Sequence, residues 1–293
     1  MRNIRLTIAY DGTDFVGWQI QPNGPSVQAA VERAILQLTG TASSVLVAGR
    51  TDSGVHALAQ VANFRSETRI PCEKLQTGLQ TFLPDSIVIR NVDEVPDDFH
   101  ATYSAKWKRY RYVILNSRVR VPFLSRYAYR VETPLDAAAM HHAAQSLVRR
   151  HHFRCFESQW PNKATSVRTV TGVTVGRYSG WPIWTQAGGL RGAVASDGDF
   201  ICLEITADGF LYNMVRAITG TLLQVGRARW AEAKVAEIIA AGDRSIAGET
   251  APARGLYLVH VDYETPLPAP ATVPYREFLP AVFVPPHSAK DML

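Results

Sequence analysis

The chain has 293 residues, 46% hydrophobic and 19% charged, with three cysteines and a formal net charge of +5. That balance supports one large or two ordinary buried cores and excludes a disordered chain, and no apolar run approaches the roughly 20 residues that span a bilayer. Met1-Arg2-Asn3 leads straight into a strand pattern with no signal-peptide stretch, so a cytoplasmic protein is expected, while Cys72, Cys155 and Cys202 are too scattered for a disulfide framework or a zinc site.

Ile4, Leu6, Ile8 and Tyr10 alternate with Arg5, Thr7 and Ala9, the period of a half-buried strand, and Asp11-Gly12 ends it. Ser26 suits the N-cap of a helix whose apolar residues Val27, Ala30, Val31, Ala34, Ile35 and Leu38 keep helical spacing up to Gly40. Short strands are expected at 44–48 and 60–64 around a polar loop at 49–57. Pro71 opens a second helix that reaches about Phe82, and 87–92 is again a strand. Residues 1–105 thus follow β-α-β-β-α-β, the layered order of a ferredoxin-like or RRM-like unit.

The second half, 106–264, reads as a variation on this plan. Strands are expected at 107–115, 167–175, 200–205 and 256–263, and helices at 135–150, 211–225 and 231–241. The stretch 178–198, rich in Gly and Trp, reads as a long hairpin loop. Residues 265–293 contain seven prolines and predict an extended tail. The fold class is therefore α+β, in two mixed α/β halves.

Three segments carry chemistry. Arg50-Thr51-Asp52-Ser53-Gly54-Val55-His56 packs a cation, a carboxylate, hydroxyls and an imidazole into one turn between apolar strands. Asp52 there is either an Asx-turn former or a carboxylate that Arg50 keeps ionised for attack, with Gly49 and Gly54 allowing a ligand to approach closely. Lys106-Trp107-Lys108-Arg109-Tyr110-Arg111-Tyr112 holds four cations and three aromatics in seven residues. In a strand Lys108, Tyr110 and Tyr112 face one side and Trp107, Arg109 and Arg111 the other. Nucleic acid suits this mixture of cations and stacking rings, and a solvated edge strand is the plainer reading. Asp208 to Arg216 opens a helix with an apolar stripe of Leu211, Met214, Val215, Ile218, Leu222 and Val225. Arg216 sits at the stripe margin, about 100° from Val215, and either reaches a buried anion or lays its stem along the surface. The pairs His141-His142 and His151-His152 lack the companions of a metal site.

Taken together the segments resemble the tRNA pseudouridine synthase A family. The resemblance rests on Tyr10-Asp11-Gly12, Gly17-Trp18-Gln19, Ser26-Val27-Gln28 and Gly49 to Ala57 with Gln60-Val61. It continues through Asp97 to Ala101, Arg109 to Tyr112, Asn213 to Arg216, Gly220 to Leu223 with Val225-Gly226, and Ala251-Pro252 followed by Gly255 to Leu258. These motifs run in order over about 4–264. The resemblance implies a pseudouridine synthase fold whose two halves flank a basic cleft. It further implies isomerisation of uridine to pseudouridine at positions 38, 39 and 40 of the tRNA anticodon stem-loop, without cofactor or metal, by a homodimer. Asp52 is then the nucleophile, Tyr110 the active-site tyrosine that contacts substrate, and Arg216 the partner of the aspartate. Arg50 is implied in drawing the base from the stack, and the basic strand adds Lys108, Arg109 and Arg111 as expected RNA contacts beside Tyr110. The chain departs from the family at Gln80, Phe82, His152 and Cys155, and in the 178–198 loop and the tail.

The reaction breaks a glycosidic bond, turns the base and rejoins it through carbon 5. It needs a carboxylate to attack carbon 6 of the base or carbon 1 of the ribose, both open on sequence, and a group that takes the carbon 5 proton. Tyr110 serves as that base only if a cation such as Arg216 lowers its pKa from about 10. An RNA-binding module without catalysis accounts for the basic strand and leaves Asp52 unexplained, because a carboxylate in an RNA groove repels phosphate. A carboxylate-dependent hydrolase wants a second acid near the first, and these motifs supply none.

Overall fold

The computed structural model describes residues 1–158, 165–186 and 198–264; the tail at 265–293 lies outside them. Ten strands form one mixed sheet. In the first half they are β1 (Arg2–Tyr10), β2 (Leu46–Val47), β3 (His56–Ser66) and β4 (Ile87–Val95), with helices α1 (Val27–Thr39) and α2 (Cys72–Gln80). The second half supplies β5 (Trp107–Asn116), β6 (Tyr129–Val131), β7 (Arg149–His152), β8 (Val167–Tyr178), β9 (Phe200–Ala207) and β10 (Leu256–Asp262). Its helices are α3 (Ala137–Ala144), α4 (Met214–Gly226) and α5 (Lys234–Ala241). The spatial order is β4-β1-β3-β10-β5-β9-β8-β7, with β2 on β3 and β6 on β5.

The last strand is the seam. β10 pairs parallel with β3, Tyr257 opposite His56, and antiparallel with β5, Leu258 opposite Tyr110. A single sheet therefore crosses residue 105, and one apolar core takes in both helix α1 and helix α4. Alternation along each strand sorts the two faces. Tyr110, Tyr112 and Ile114 of β5 join the core that buries the helices, while Val113 and Leu115 join a smaller cluster with Tyr178, Cys202 and Val259 on the opposite face.

Local signals explain most elements. The Ser26 side chain accepts from the Ala29 amide at 3.3 Å, and Gly40 ends α1 in the left-handed region with φ 72°. Gln80 stitches α2 to β4, donating to the Ile87 carbonyl and accepting from the Ile89 amide. The connection from β8 to β9 contains a 3-10 turn at Trp181–Trp184, with Tyr178 opposite Phe200 at its base.

Several boundaries differ from the sequence reading. The helix expected at 135–150 is only α3 and a short 3-10 turn; Arg149–His152 form strand β7 on β8 instead. Those four residues offer no apolar side chain for a helix to bury, so backbone pairing at the sheet edge wins. Strand β3 begins at His56 rather than 60, which shortens the polar loop. The helix expected from Leu211 begins at Met214, because Asn213 is left-handed at φ 61° and cannot continue a helix backwards. Among the described residues no helix is long and apolar enough to cross a membrane.

Candidate active site

A cleft of about 610 Å³ opens on the helix-bearing face, over the seam. Its walls come from both halves: Trp18, Gln28 and the 44–52 segment on one side, Lys108, Tyr110, Leu256 and 210–215 on the other.

The Asp52 loop is held from behind. The Trp18 amide donates to the Thr51 carbonyl at 3.0 Å, Gly17 and Asp52 form a β-bridge, and the Val55 amide turns back onto the Asp52 carbonyl at 3.1 Å. Gly17 is needed for this approach: it sits at φ 114°, and a Cβ there would lie 2.6 Å from the Thr51 carbonyl oxygen. Beneath the loop the Tyr10 hydroxyl and Thr51 Oγ1 are 2.7 Å apart, and Gln60 Nε2 donates to the Gly49 carbonyl at 2.7 Å. His56 fixes the far end. Its Nδ1 accepts from the Gly12 amide at 3.1 Å and its Nε2 meets the Arg126 carbonyl at 3.0 Å, with the ring stacked on Tyr257. Asp11 Oδ1 lies 3.1 Å from the same Nδ1, and burial lowers the His56 pKa against the pull of that carboxylate.

Helix α4 delivers the other half of the site. Arg216 Nη1 lies 3.4 Å from Asp52 Oδ2, an ion pair on the cleft wall. The same Nη1 donates to Asn213 Oδ1 at 2.7 Å, and Nε donates to the Ala251 carbonyl at 2.7 Å. Asp52 is mostly buried, and desolvation raises its pKa although Arg216 works in the opposite sense. The cation beside Asp52 is thus Arg216. Arg50, expected from its nearness in sequence to pair with the carboxylate, is instead exposed on the cleft wall, and the cation that reaches Asp52 comes from α4.

Tyr110 lines the cleft from β5, its ring edge-on to Phe210 with centroids 4.9 Å apart. Burial, with Tyr10 and Asp52 adding to it, pushes its phenol far above the ordinary value. Arg216, whose lowering effect a base role would draw on, is not among the groups that shift it. Lys108, two residues earlier on the same strand face, also lines the cleft, close to Gly49.

Arg109 and Arg111 face the other way, as strand alternation dictates. Arg111 is fully buried, donates to the carbonyls of Ile183 and Thr185 at 2.7 and 2.8 Å, and lies 3.4 Å from Glu204. Arg109 approaches the same carboxylate at 3.5 Å. Neither lines the cleft. The RNA contact expected of Arg111 gives way to an internal one, in which its charge is neutralised within the protein. Asn213, Tyr10, Gln60 and His56 are the site residues that sequence reasoning left without a role; each stands inside a quoted motif, yet its partners are distant in the chain.

Residues 6–104 and 143–264 match the family model described as tRNA pseudouridine synthase. The chain is 42% identical over 263 residues to tRNA pseudouridine synthase A of Thermoanaerobacter sp. (strain X514), covering 90% of this chain and 100% of that protein. It is 44% identical to the protein of the same name from Acetivibrio thermocellus and 43% identical to that from Brevibacillus brevis, with the same coverage. With motifs, site and near-complete alignment in agreement, the chain belongs to the tRNA pseudouridine synthase family.

Proposed function

We propose that this chain is a tRNA-acting isomerase that converts uridine to pseudouridine at positions 38, 39 and 40 of the anticodon stem-loop, with Asp52 as nucleophile. The observation that carries this reading is the Asp52–Arg216 pair on the wall of a cleft that both halves of the chain complete. Family membership supports the reaction and the tRNA substrate.

In the reaction the bond from N1 to the ribose breaks, a bond from carbon 5 to the ribose forms, and the carbon 5 proton is lost as N1 gains one. No redox partner or second substrate enters the balance. Asp52 attacks the base or the sugar and leaves again when the new bond is made. Arg216 holds the carboxylate and offsets the charge that shifts during attack. Tyr110 supports the base by its ring and its hydroxyl, and the carbon 5 proton leaves to solvent water. A stem uridine must first leave its stack, at a cost of a few kcal/mol, and Arg50 on the exposed wall is suited to fill the gap. Lys108, on the Tyr110 side of β5, meets backbone phosphate.

Two further points belong to this reading. The succession β4-β1-β3-β2 in the first half and β10-β5-β9-β8 in the second is the same strand order twice, which supports a pair of ferredoxin-like halves divided near residue 105. The working enzyme is a cytoplasmic homodimer across which one tRNA lies, as the family resemblance implies.

The test is a chemical map of pseudouridine in unmodified tRNA treated with the purified protein and with Asp52→Asn. Wild type is expected to modify positions 38 to 40; the variant should bind tRNA with little change and lose at least about 10⁴-fold in rate. Pseudouridine formed by Asp52→Asn, or formed only outside the anticodon stem, would falsify the proposal.

A further inference from the structure

The Arg216 guanidinium is shared unequally. Asn213 Oδ1 and the Ala251 carbonyl each accept from it at 2.7 Å, and Asp52 stands at 3.4 Å. Two neutral oxygens therefore hold the cation closely while the carboxylate receives the longest contact of the three. A charged pair left to itself would close to about 2.7–2.9 Å, the ordinary length of a charge-assisted hydrogen bond.

Asn213 is placed for this by an unusual backbone. It sits at φ 61°, ψ 5°, immediately before α4, in a region where asparagine is tolerated far better than bulkier residues. Its side chain makes no cap to the helix. Instead Oδ1 faces Arg216 one turn ahead, as it must because a guanidinium only donates, and Nδ2 donates to Ser158 Oγ at 2.8 Å. The cap position is thus diverted from holding the helix to holding the catalytic cation.

We propose that Asn213 is a positioning residue that draws the Arg216 guanidinium off Asp52, keeping the pair loose so that the carboxylate remains free to attack. A tight pair neutralises the nucleophile and must be broken before attack; no pair leaves a buried carboxylate that takes up a proton. A neutral amide of fixed orientation sets the balance between these extremes. This inference rests on the role of Asp52 proposed above.

The test compares Asn213→Gly and Asn213→Asp with wild type in single-turnover rates on saturating tRNA, as a function of pH. Glycine keeps the left-handed backbone and removes only the amide, so melting temperature should hold. The cation then closes on Asp52: the rate should fall by about 10- to 100-fold, tRNA affinity should stay within about threefold, and the acid limb of the profile should move to lower pH. Aspartate tolerates the same backbone and places a second anion on Arg216, so its acid limb should move to higher pH. The inference is overturned if Asn213→Gly keeps the wild-type rate and limb, or if both variants move the limb in the same direction. Should Asn213→Gly lose stability, the limb of Asn213→Asp decides alone: an upward shift supports the inference and no shift sinks it. Failure of the functional proposal itself looks different, since wild type would then make no pseudouridine or Asp52→Asn would still make it.

Discussion

Asp52 and Arg216 stand 164 residues apart in the chain and meet at 3.4 Å, the one on a loop of the first half and the other on α4 of the second. The sheet makes the meeting possible, because β10 lies between β3 and β5 and brings the two halves to a fixed separation. A loop carboxylate and a helix cation thereby become one site.

The pair carries a stability cost that can be measured. Burial raises the pKa of Asp52 in the folded protein more than Arg216 lowers it, so the native state binds that proton more tightly than the unfolded chain. Stability from this group is present below the unfolded value and is lost as pH rises through the folded value, leaving the ionised carboxylate a burden at neutral pH. Asp52→Asn should therefore melt at or above the wild-type temperature at pH 7 while inactive. A lower melting temperature shows that the unpartnered Arg216 outweighs the relieved carboxylate.

Arg216 should matter more to rate than to affinity. Arg216→Ala removes the cation beside Asp52 and is expected to cost about 10²- to 10³-fold in kcat/KM. Arg216→Lys keeps the charge but cannot reach Asn213 and the Ala251 carbonyl in the same fork, so most of that loss should remain. Binding of tRNA, measured by filter retention, should change by less than about tenfold; a loss confined to binding would place Arg216 on the RNA rather than on Asp52.

Much of this site was legible in the sequence and some was not, for physical reasons. The polar loop at Asp52 stood out because polarity between two apolar strands needs a purpose. Strand alternation rightly separated Tyr110 from Arg111, since period 2 follows from backbone geometry alone. What alternation cannot tell is which face lies over the cleft. That depends on where β9 places Glu204 and on the carbonyls of Ile183 and Thr185, all far away in sequence. In the same way, two-residue spacing suggested an Arg50–Asp52 pair, but a helix far away in sequence supplies the cation. Helix α3 was drawn too long because propensity over 145–150 gave no sign of the edge pairing that β8 offers.

Arg111 gives a prediction opposite to that of an RNA contact. Its guanidinium is buried against Glu204 and two carbonyls, and removing it leaves the Glu204 charge in the interior with the longer contact to Arg109 and takes the donor from both carbonyls. Arg111→Ala should cost about 3–5 kcal/mol, or roughly 10 °C in Tm for a chain of this size. The affinity of the folded fraction for tRNA, and its dependence on salt, should not change. A reduced salt slope with an unaltered melting temperature restores Arg111 to the RNA.

His56 contributes to the pH dependence of stability on the acid side, in the same sense as His260 and His151, whose pKa values burial also lowers, and against Asp52. It is 2% exposed, and protonating Nδ1 would exchange the bond from the Gly12 amide for one to Asp11 Oδ1, also 3.1 Å away, while leaving a charge in the interior. Burial holds its folded pKa below the ordinary histidine value of 6.5, so below that value the unfolded chain binds more protons than the native one. The stabilisation is fully present above the unfolded pKa and declines as pH falls through the depressed folded pKa. Asp11, with a lowered pKa of its own, adds a loss of the same sign only at pH values below about 4. Calorimetric melts between pH 7.5 and 5 should therefore show a falling Tm for wild type. The profile should be flatter for His56→Gln, which starts lower at pH 7.5 because the ring no longer stacks on Tyr257. Parallel profiles for the two proteins would assign the acid sensitivity to another group.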